Sequence, residues 1–489
     1  GGRPGPPDDV PGPEFLKIPV LRTEGYHYQR HLPAMKKPLA LSGLAILLFL
    51  LGLNSCTEDA IEVPETSDEP TVVPVDNEQP GESDEDPDPG SEPSPDGTVE
   101  FLNPSLVDDS YILVNDAAAN RAYIMDKDAN LIHEWELTSN IGNDVFLLSD
   151  GNVLASLESD DPKIKFGGQG GRLQFIKPDN TVQWDFVYSS EEAETHHDAE
   201  LLPNGHVIAL VWEKRTSEEA LEAGSMVSID IYPEAIIEVN PQTDEIVWEW
   251  HAWDHLIQDH DNTKSNFGVV SDHPELIDLN YVPETNSWPE ENGDIMHANA
   301  ITYDPVNDLI FISVNYFSEV WVIDHSTTRE EAAGNAGGTF GKGGDLVYRF
   351  GNPEAYQNPA GERYFYNNHH PNLLQGADQG KLLIYSNGKG FNQSTVYELK
   401  LPSQLELSPN TDNEPDVLWS FTDPDLFAPK VSGAELLPNG NILITEGDYG
   451  FWEVTREKEV VWKYNAQGFF WRGYPYEKEA PEIQAVLGN

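Results

Sequence analysis

The sequence contains little cysteine and little positive charge. Cys56 is the only cysteine among 489 residues, which excludes disulfide bonds within one molecule and cysteine-rich metal sites. Only 28 lysines and arginines stand against 85 aspartates and glutamates, so the formal net charge is −57. Because such a chain has no basic surface to displace counterions from phosphates, we expect no nucleic-acid partner. The acidic excess is typical of a solvated, self-repelling surface.

Long apolar runs are equally scarce. One run, Leu39–Leu53, follows two lysines after Met35 and is shorter than the ~20 residues that cross a bilayer as a helix. A charged head, a short apolar body and a small-residue cleavage point are typical of a secretory signal. The run ends in "LNSC", which resembles a bacterial lipobox and implies lipid attachment to Cys56. We therefore predict a lipoprotein signal peptide over residues 35–55, after an upstream segment (1–34) outside the fold.

The segment directly after Cys56, residues 57–100, lacks basic side chains altogether. Residues 57–100 hold sixteen acidic residues and eight prolines but no lysine or arginine. Such a composition buries too little apolar area to offset chain entropy. We predict a disordered acidic tether over residues 56–100. The acids directly after the cysteine resemble an export signal, so the expected location is the bacterial outer membrane, facing the periplasm or the cell surface.

Beyond residue 100, short apolar stretches alternate with Asn-Gly, Asp-Gly and Pro-Asn turns, which is typical of strands. An aromatic phrase recurs six times, centred on Trp135, Trp184, Trp248, Tyr348, Trp419 and Trp462. Repeated strand groups without helices predict an all-β fold, a six-bladed β-propeller over residues 101–489. The predicted blades span about residues 106–140, 144–190, 197–252, 297–351, 370–422 and 432–466. A pair of β-sandwiches is the alternative.

Histidine recurs at one position of successive blades. Counting back seven residues from the turn gives Asn143, His197, His297 and Ser432, and counting back eight from an altered turn gives His370. These positions should converge at one rim of the central channel. Three histidines could hold zinc with an open coordination position. Alternatively, one imidazole could act as a nucleophile while the others supply a proton and stabilise negative charge.

Several long phrases carry a resemblance to a known family. They include "HHDAELLPNGHVIALVWEK", "MHANAITYDP", "GKGGDLVYRFGNPEAY" and "SGAELLPNGNILITEG". The sequence resembles the PAPS-independent bacterial aryl-sulfate sulfotransferases, which are six-bladed propellers that move a sulfuryl group from a phenolic sulfate to another phenol. The resemblance covers most of residues 106–466 and implies no cofactor and no metal. Its implied partners are a small aromatic sulfate donor and a phenolic acceptor.

The resemblance also implies roles for individual residues. His370 takes the place of the nucleophile that becomes a sulfohistidine in a ping-pong reaction. His297 corresponds to the histidine that protonates the departing phenolate. His197 would help to bind the sulfuryl oxygens. Asn299 and Ser432 would add contacts to the substrate.

Two positions depart from the family pattern. Asn315 stands where the family usually has an arginine. The resemblance implies that this position, like those of Asn299 and Ser432, contacts the substrate. By analogy with an oxyanion-hole donor, losing that guanidinium costs ~3 kcal/mol, or about a hundredfold in rate. Pro371 follows His370 and biases it toward extended conformations, which leaves His369 as an alternative nucleophile. Arg349 matches the family pattern, but its outer-strand phrase indicates a structural role.

Other interpretations stay open at this stage. The chain could be a propeller that has lost the activity and serves as a binding or assembly module. A metal-dependent hydrolase is a third hypothesis. The histidine-rich segment Trp250–Asp261 is expected to pack over the channel mouth, and the tail Phe469–Tyr476 to pack the last blade against the first. An oligomer is compatible with the sequence.

Overall fold

The computed structural model describes residues 97–282, 292–466 and 468–488. The predicted upstream segment, signal peptide, Cys56 and nearly all of the predicted tether lie outside these residues. Within them, no helix has the length and apolar character needed to span a membrane.

Strands dominate the described chain. The first nine are β1 (Thr98–Leu102), β2 (Tyr111–Asp116), β3 (Arg121–Met125), β4 (Leu131–Trp135), β5 (Ile141–Leu147), β6 (Val153–Glu158), β7 (Gly171–Ile176), β8 (Val182–Val187) and β9 (Ala193–Leu201). The next nine are β10 (Val207–Glu213), β11 (Glu234–Asn240), β12 (Glu245–His251), β13 (Leu256–Ile257), β14 (Ile277–Asp278), β15 (Ala298–Asp304), β16 (Leu309–Val314), β17 (Glu319–Asp324) and β18 (Tyr348–Phe350). The last nine are β19 (Asn368–Leu373), β20 (Lys381–Ser386), β21 (Thr395–Lys400), β22 (Asp416–Phe421), β23 (Gly433–Leu436), β24 (Ile442–Glu446), β25 (Gly450–Val454), β26 (Val460–Asn465) and β27 (Phe470–Tyr476). The α-helices are short: α1 (Ser217–Glu222), α2 (Arg329–Ala332) and α3 (Pro481–Leu487).

Apart from β13 and β14, which form a separate parallel pair, the strands form six antiparallel sheets arranged as the blades of a propeller. From the inside outward they are β27-β2-β3-β4, β5-β6-β7-β8, β9-β10-β11-β12, β15-β16-β17-β18, β19-β20-β21-β22 and β23-β24-β25-β26-β1. The innermost strands touch one another in the cyclic order β27, β5, β9, β15, β19, β23 and back to β27. The all-β six-bladed propeller predicted from the sequence is therefore confirmed, and the alternative of two sandwiches is wrong.

Both ends of the described chain help to close the ring. β27 pairs with β2 as the innermost strand of blade 1, with Tyr111 opposite Tyr476. β1 pairs with β26 as a fifth, outer strand of blade 6, with Thr98 opposite Asn465. The structure differs from the sequence prediction at both ends of the described chain. The last three residues assigned to the tether, 98–100, are in a strand, and blade 1 takes its inner strand from the tail.

The recurrent aromatic residues explain how neighbouring blades attach. All six are buried on the outer part of their blades. The indole N–H of Trp184 donates to Asp244 Oδ1 of the next blade at 2.8 Å, and that of Trp419 donates to the Arg456 carbonyl at 2.9 Å. Trp462 of blade 6 reaches the Lys127 carbonyl of blade 1 at 2.9 Å. The repeat therefore supplies both buried apolar area and a polar tie between blades.

Candidate functional site

The three channel histidines share an unusual backbone conformation. His197, His297 and His370 have φ values of 53°, 55° and 56°, in the left-handed region that non-glycine residues rarely adopt. The extended conformation expected for His370 from the following Pro371 is therefore wrong. In each inner strand, pairing with the second strand of the blade shifts register at or beside the histidine. Such a conformation costs on the order of 1–3 kcal/mol and persists where the surrounding structure holds it. The three histidines found by counting back from the turns therefore have the same backbone conformation in their respective blades.

His197 and His297 lie side by side, and their pKa values are shifted in opposite directions. Their ring centroids are 4.8 Å apart and the rings are nearly perpendicular. Burial alone would lower the pKa of His297, but Asp294 Oδ2, 2.6 Å from its Nδ1, raises that pKa above the ordinary value of 6.5. Burial, reinforced by the charge of His297, lowers the pKa of His197 well below 6.5. The Asp294 carboxyl group therefore favours the protonated form of His297, whereas burial favours the neutral form of His197.

The position of His197 depends on groups that sequence reasoning did not identify. Its Nδ1 is 2.9 Å from Nδ1 of His196, whose Nε2 is 2.8 Å from Glu234 Oε2. Gly168 lies against the other side of the ring, where an added Cβ would come within 2.2 Å of Cε1 of His197. The glycine-rich stretch "FGGQGG" was the signal for this close approach of backbone to a ring.

His370 is a buried, neutral imidazole beside a carboxyl group. Its Nε2 is 3.2 Å from Oε1 of Glu435. Its Nδ1 has no hydrogen-bond partner in the described part of the chain and faces Gly433, where an added Cβ would lie 2.3 Å away. Burial and then the positive charge of Arg472 lower the pKa of His370. Burial raises the pKa of Glu435 to about 8, so this carboxyl is mostly protonated at neutral pH.

His369, the alternative nucleophile, has both ring nitrogens occupied. Nδ1 is 2.6 Å from Oδ1 of Asn387, and the backbone N–H of Val431 donates to Nε2 at 3.2 Å. The accepting Nε2 places the proton on Nδ1, which donates to the amide oxygen. Burial lowers the pKa of His369 to about 3. This histidine is therefore held in one orientation between blades 5 and 6.

The two asparagines predicted to bind substrate are hydrogen-bonded to the strand that carries the histidine pair of blade 5. Nδ2 of Asn299 donates to the carbonyl of Asn368 at 2.7 Å, and Nδ2 of Asn315 donates to the same oxygen at 3.2 Å. Ser313 Oγ is a third donor, at 3.0 Å. Asn315 Oδ1 also accepts from Nδ2 of Asn367 at 2.8 Å. Their amide nitrogens therefore fix the backbone immediately before His369, and their contact with substrate stays a prediction.

The remaining ring positions behave differently. Ser432 has φ 86°, is buried, and its Oγ accepts from the backbone N–H of Gly447 at 3.1 Å. It ties two segments of blade 6 together. The side chain of Asn143 lies outside the described part of the structure.

An arginine that sequence reasoning missed completes the ring. Arg472 lies on β27, where pairing with β2 shifts register. Nη1 is 3.0 Å from Asp144 Oδ2 and Nη2 is 2.9 Å from Asp198 Oδ2. Tyr474 O–H donates to the same Asp144 oxygen at 2.5 Å. The tail "FFWRGYPY" contained this arginine, but no local pattern showed that its strand enters blade 1.

Two other conspicuous groups serve the fold. In the segment Trp250–Asp261, His255 is buried between Oδ1 of Asp345 at 2.8 Å and the Ala332 carbonyl at 2.9 Å. Arg349 is fully buried, pairs with Glu319 and donates to the Leu276 carbonyl at 2.8 Å, as the sequence indicated. Across residues 97–282, 292–466 and 468–488, no three His, Cys, Asp or Glu side chains are grouped as metal ligands.

Comparison with known proteins adds a family and several similar folds. Residues 101–472 match the family described as Arylsulfotransferase (ASST). No curated protein matches the sequence. Similar solved structures include a protein of unknown function from Bacteroides caccae, at 14% identity and a TM-score of 0.43, covering 75% of this chain and 98% of that chain. The periplasmic gluconolactonase of Pseudomonas aeruginosa is 11% identical with a TM-score of 0.39 over 75% of this chain and 98% of its own. A putative 6-phosphogluconolactonase from Bacteroides fragilis is 11% identical with a TM-score of 0.36 over 75% and 83%.

Proposed function

Because the chain belongs to the arylsulfotransferase family, we propose that it moves a sulfuryl group from a phenolic sulfate ester to a phenolic acceptor through a covalent sulfohistidine. The observation that supports this reaction best is that His297 and His370 occupy equivalent ring positions, with φ values of 55° and 56°, and have pKa values shifted in opposite directions. The pKa of His297 is raised and that of His370 is lowered. Environments that push two pKa values apart assign an acid and a nucleophile.

In the first half-reaction His370 attacks the sulfur of the donor. The lone pair on Nε2 forms the N–S bond, and the bond between sulfur and the phenolic oxygen breaks. The protonated Glu435 hydrogen-bonds to Nε2 before the attack, and the arriving sulfur replaces this contact. The imidazolium of His297 gives its proton to the departing phenolate, which leaves as a neutral phenol.

In the second half-reaction an acceptor phenol enters and reverses these steps. His297, now neutral, takes the proton of the acceptor hydroxyl while its oxygen attacks sulfur. The N–S bond breaks, and His370 returns to its neutral form. His197 donates from its ring N–H to the sulfuryl oxygens, which carry the spreading negative charge. In this proposal Asn299, Asn315 and Ser432 support the strands that carry the histidines.

The test is a transfer assay with the full chain and p-nitrophenyl sulfate, with and without phenol. We expect phenol to accelerate nitrophenol release, and His370→Ala to abolish it. Mass spectrometry of protein quenched with donor alone should find one sulfated histidine peptide containing residue 370. Turnover that survives His370→Ala, or a label on another residue, would refute the assignment of the nucleophile.

Asn315 favours a second candidate, a propeller that binds phenols without turning them over. An amide at this position cannot supply the bidentate charge of a guanidinium. Folded protein that binds a phenol but neither releases nitrophenol nor becomes labelled would support this candidate. Asn315→Arg then offers a direct comparison, because restored turnover would identify the missing charge as the cause.

We also propose attachment to the outer membrane of a bacterial cell through lipid on Cys56, on the strength of the "LNSC" phrase. Labelling cells with radioactive palmitate should label the full chain but not Cys56→Ala. Equal labelling of both proteins would contradict the proposal.

A further inference from the structure

A cavity of about 270 Å³ opens beside His370 and is rich in carboxyl groups. Asp144, Asp198, Glu200 and Glu435 line it, and Arg472 is the lining cation. Full ionisation of these four carboxyl groups beside one guanidinium would give a formal charge of −3. At neutral pH Glu200 and Glu435, whose pKa values are raised by burial to about 8, are mostly protonated, and a bound cation would favour their ionised forms. The volume is sufficient for a phenol with a short side chain.

The carboxyl groups of the cavity differ in how far they are already paired. Asp144 and Asp198 both bind Arg472. Glu435 lies against the neutral imidazole of His370. Glu200 accepts from the backbone N–H of Tyr303 at 2.8 Å and forms no salt bridge within the described residues. Glu200 is therefore the carboxyl group with unused capacity for a cation.

Aromatic rings form the other walls of the cavity. Phe146, Tyr303, Tyr474 and Tyr476 line it, and the rings of Phe146 and Tyr474 are packed edge to face at 5.4 Å. Aromatic faces beside carboxylates are the surroundings that attract ammonium groups, through the ring quadrupole and through direct charge. A neutral aryl ring would use the aromatic walls alone and leave Glu200 without a cationic partner.

We propose that this cavity binds phenols that carry an ammonium group, with the ammonium near Glu200 and the phenolic oxygen directed toward His370. The inference rests on the proposed sulfuryl transfer and names the substrate class for the side of that site formed by His370, which lines the cavity, whereas His197 and His297 do not line it. In a ping-pong reaction the donor and the acceptor occupy one site in turn. The preferred donor is therefore the sulfate ester of such a phenol, whose ammonium offsets the charge of its sulfate in the acidic cavity.

The protonation of the cavity gives the proposal a second signature. Burial and the neighbouring charge of Asp198 raise the pKa of Glu200 to about 8, and burial raises the pKa of Asp198 to about 6. A bound cation stabilises the ionised carboxylate and lowers its pKa. Binding of a cationic phenol at pH 7 should therefore release protons, whereas binding of a neutral phenol should not.

The test uses three phenols and no sulfate donor, so that it is independent of turnover. Isothermal titration of the full chain compares N,N,N-trimethyltyramine, its uncharged isostere 4-(3,3-dimethylbutyl)phenol, and 3-(4-hydroxyphenyl)propanoate. We expect the cation to bind at least about fivefold more tightly than the isostere, and the anion to bind most weakly. Repeating the titration in buffers of different protonation enthalpy measures proton release.

Glu200→Gln keeps the shape of the side chain and removes its ability to ionise, without changing His370. We expect this variant to lose most of the preference for the cation, while Glu479→Gln, an exposed acid outside the cavity, keeps it. Equal affinities for the cation and the isostere, or a preference unchanged in Glu200→Gln, would overturn the proposal. Preferential binding of the cation without any turnover would instead refute the proposed transfer and leave the binding class standing.

Discussion

The contact between His297 and Asp294 makes the proposed general acid open to experiment. The two atoms are 2.6 Å apart, and the carboxylate is only 1% exposed. Asp294→Asn keeps the size of the side chain and an acceptor oxygen but removes the charge. A hydrogen bond between charged groups contributes ~1.5–3 kcal/mol. At ~1.36 kcal/mol per tenfold change, the protonation constant of His297 should fall about 10- to 150-fold. The imidazolium population falls by the same factor only at pH values above the pKa of His297 in the unchanged protein.

The sign of the pH effect follows from the raised pKa. His297 supplies its proton below this pKa, and the rate should fall as pH rises through it. In Asp294→Asn the fall should begin at lower pH. A basic phenolate needs the proton more than nitrophenolate does. The variant should therefore lose much more of kcat/KM with phenyl sulfate than with p-nitrophenyl sulfate.

Asp345→Asn is the matched control, because it removes a carboxylate from the buried His255 at 2.8 Å, outside the channel. It should leave the pH profile and the ratio between the two donors unchanged. Equal losses with both donors in Asp294→Asn, at unchanged thermal stability, would refute the role of His297 as the acid.

Three further predictions concern packing and charge. Gly168→Ala should lower kcat/KM at least tenfold by displacing His197. The control, Gly205→Ala, has the same φ of +84° but open space around it and should change only thermal stability. Equal activity of the two variants would contradict this prediction. Arg472→Met leaves two buried carboxylates without their cation and should lower the free energy of unfolding by about 3–5 kcal/mol, measured by denaturant titration, with a smaller loss in Arg472→Lys. Burial opposes ionisation of Glu238, but hydrogen bonds, the strongest of them from His325, lower the pKa of Glu238 to about 2. Burial also opposes ionisation of His325, but hydrogen bonds to neighbouring carboxylates raise the pKa of His325. The stability contributed by ionised Glu238 is lost as pH falls from 4.5 toward 2, and the stability contributed by protonated His325 is lost as pH rises above 6.5. Glu238→Gln should therefore lower Tm most near pH 5–6. A difference in Tm that stays constant across pH would contradict this prediction.

The sequence was sufficient for the architecture because the blades repeat. Each aromatic phrase marks an outer strand, and each turn sets the register of an inner strand. This is why counting back from the turns found His197, His297 and His370. The count specifies the backbone position but not the direction of the side chain, so it could not show that Asn299 and Asn315 point toward a neighbouring strand.

Contacts between distant parts of the chain were beyond such reasoning. Arg472 enters the ring only because the tail replaces a missing inner strand of blade 1. The same separation hid the pairing of β1 with β26, since residues 98–102 are one short, largely apolar stretch directly after the acidic segment. Local composition describes a residue's neighbours along the chain, whereas these two strands are defined by partners several hundred residues away.

The late position of β27 along the chain also has a consequence for how the ring is completed. During synthesis, blade 1 emerges first and must wait with an unpaired inner edge until the last strand of the ring is available. An unpaired edge invites association with other chains, and contacts of such long range form slowly. Arg472 arrives on that same strand, so the channel acquires its cation in the step that closes the ring. We therefore expect closure of the fold and completion of the site to be one event. A chain that ends before β27 should associate with other chains and lack activity.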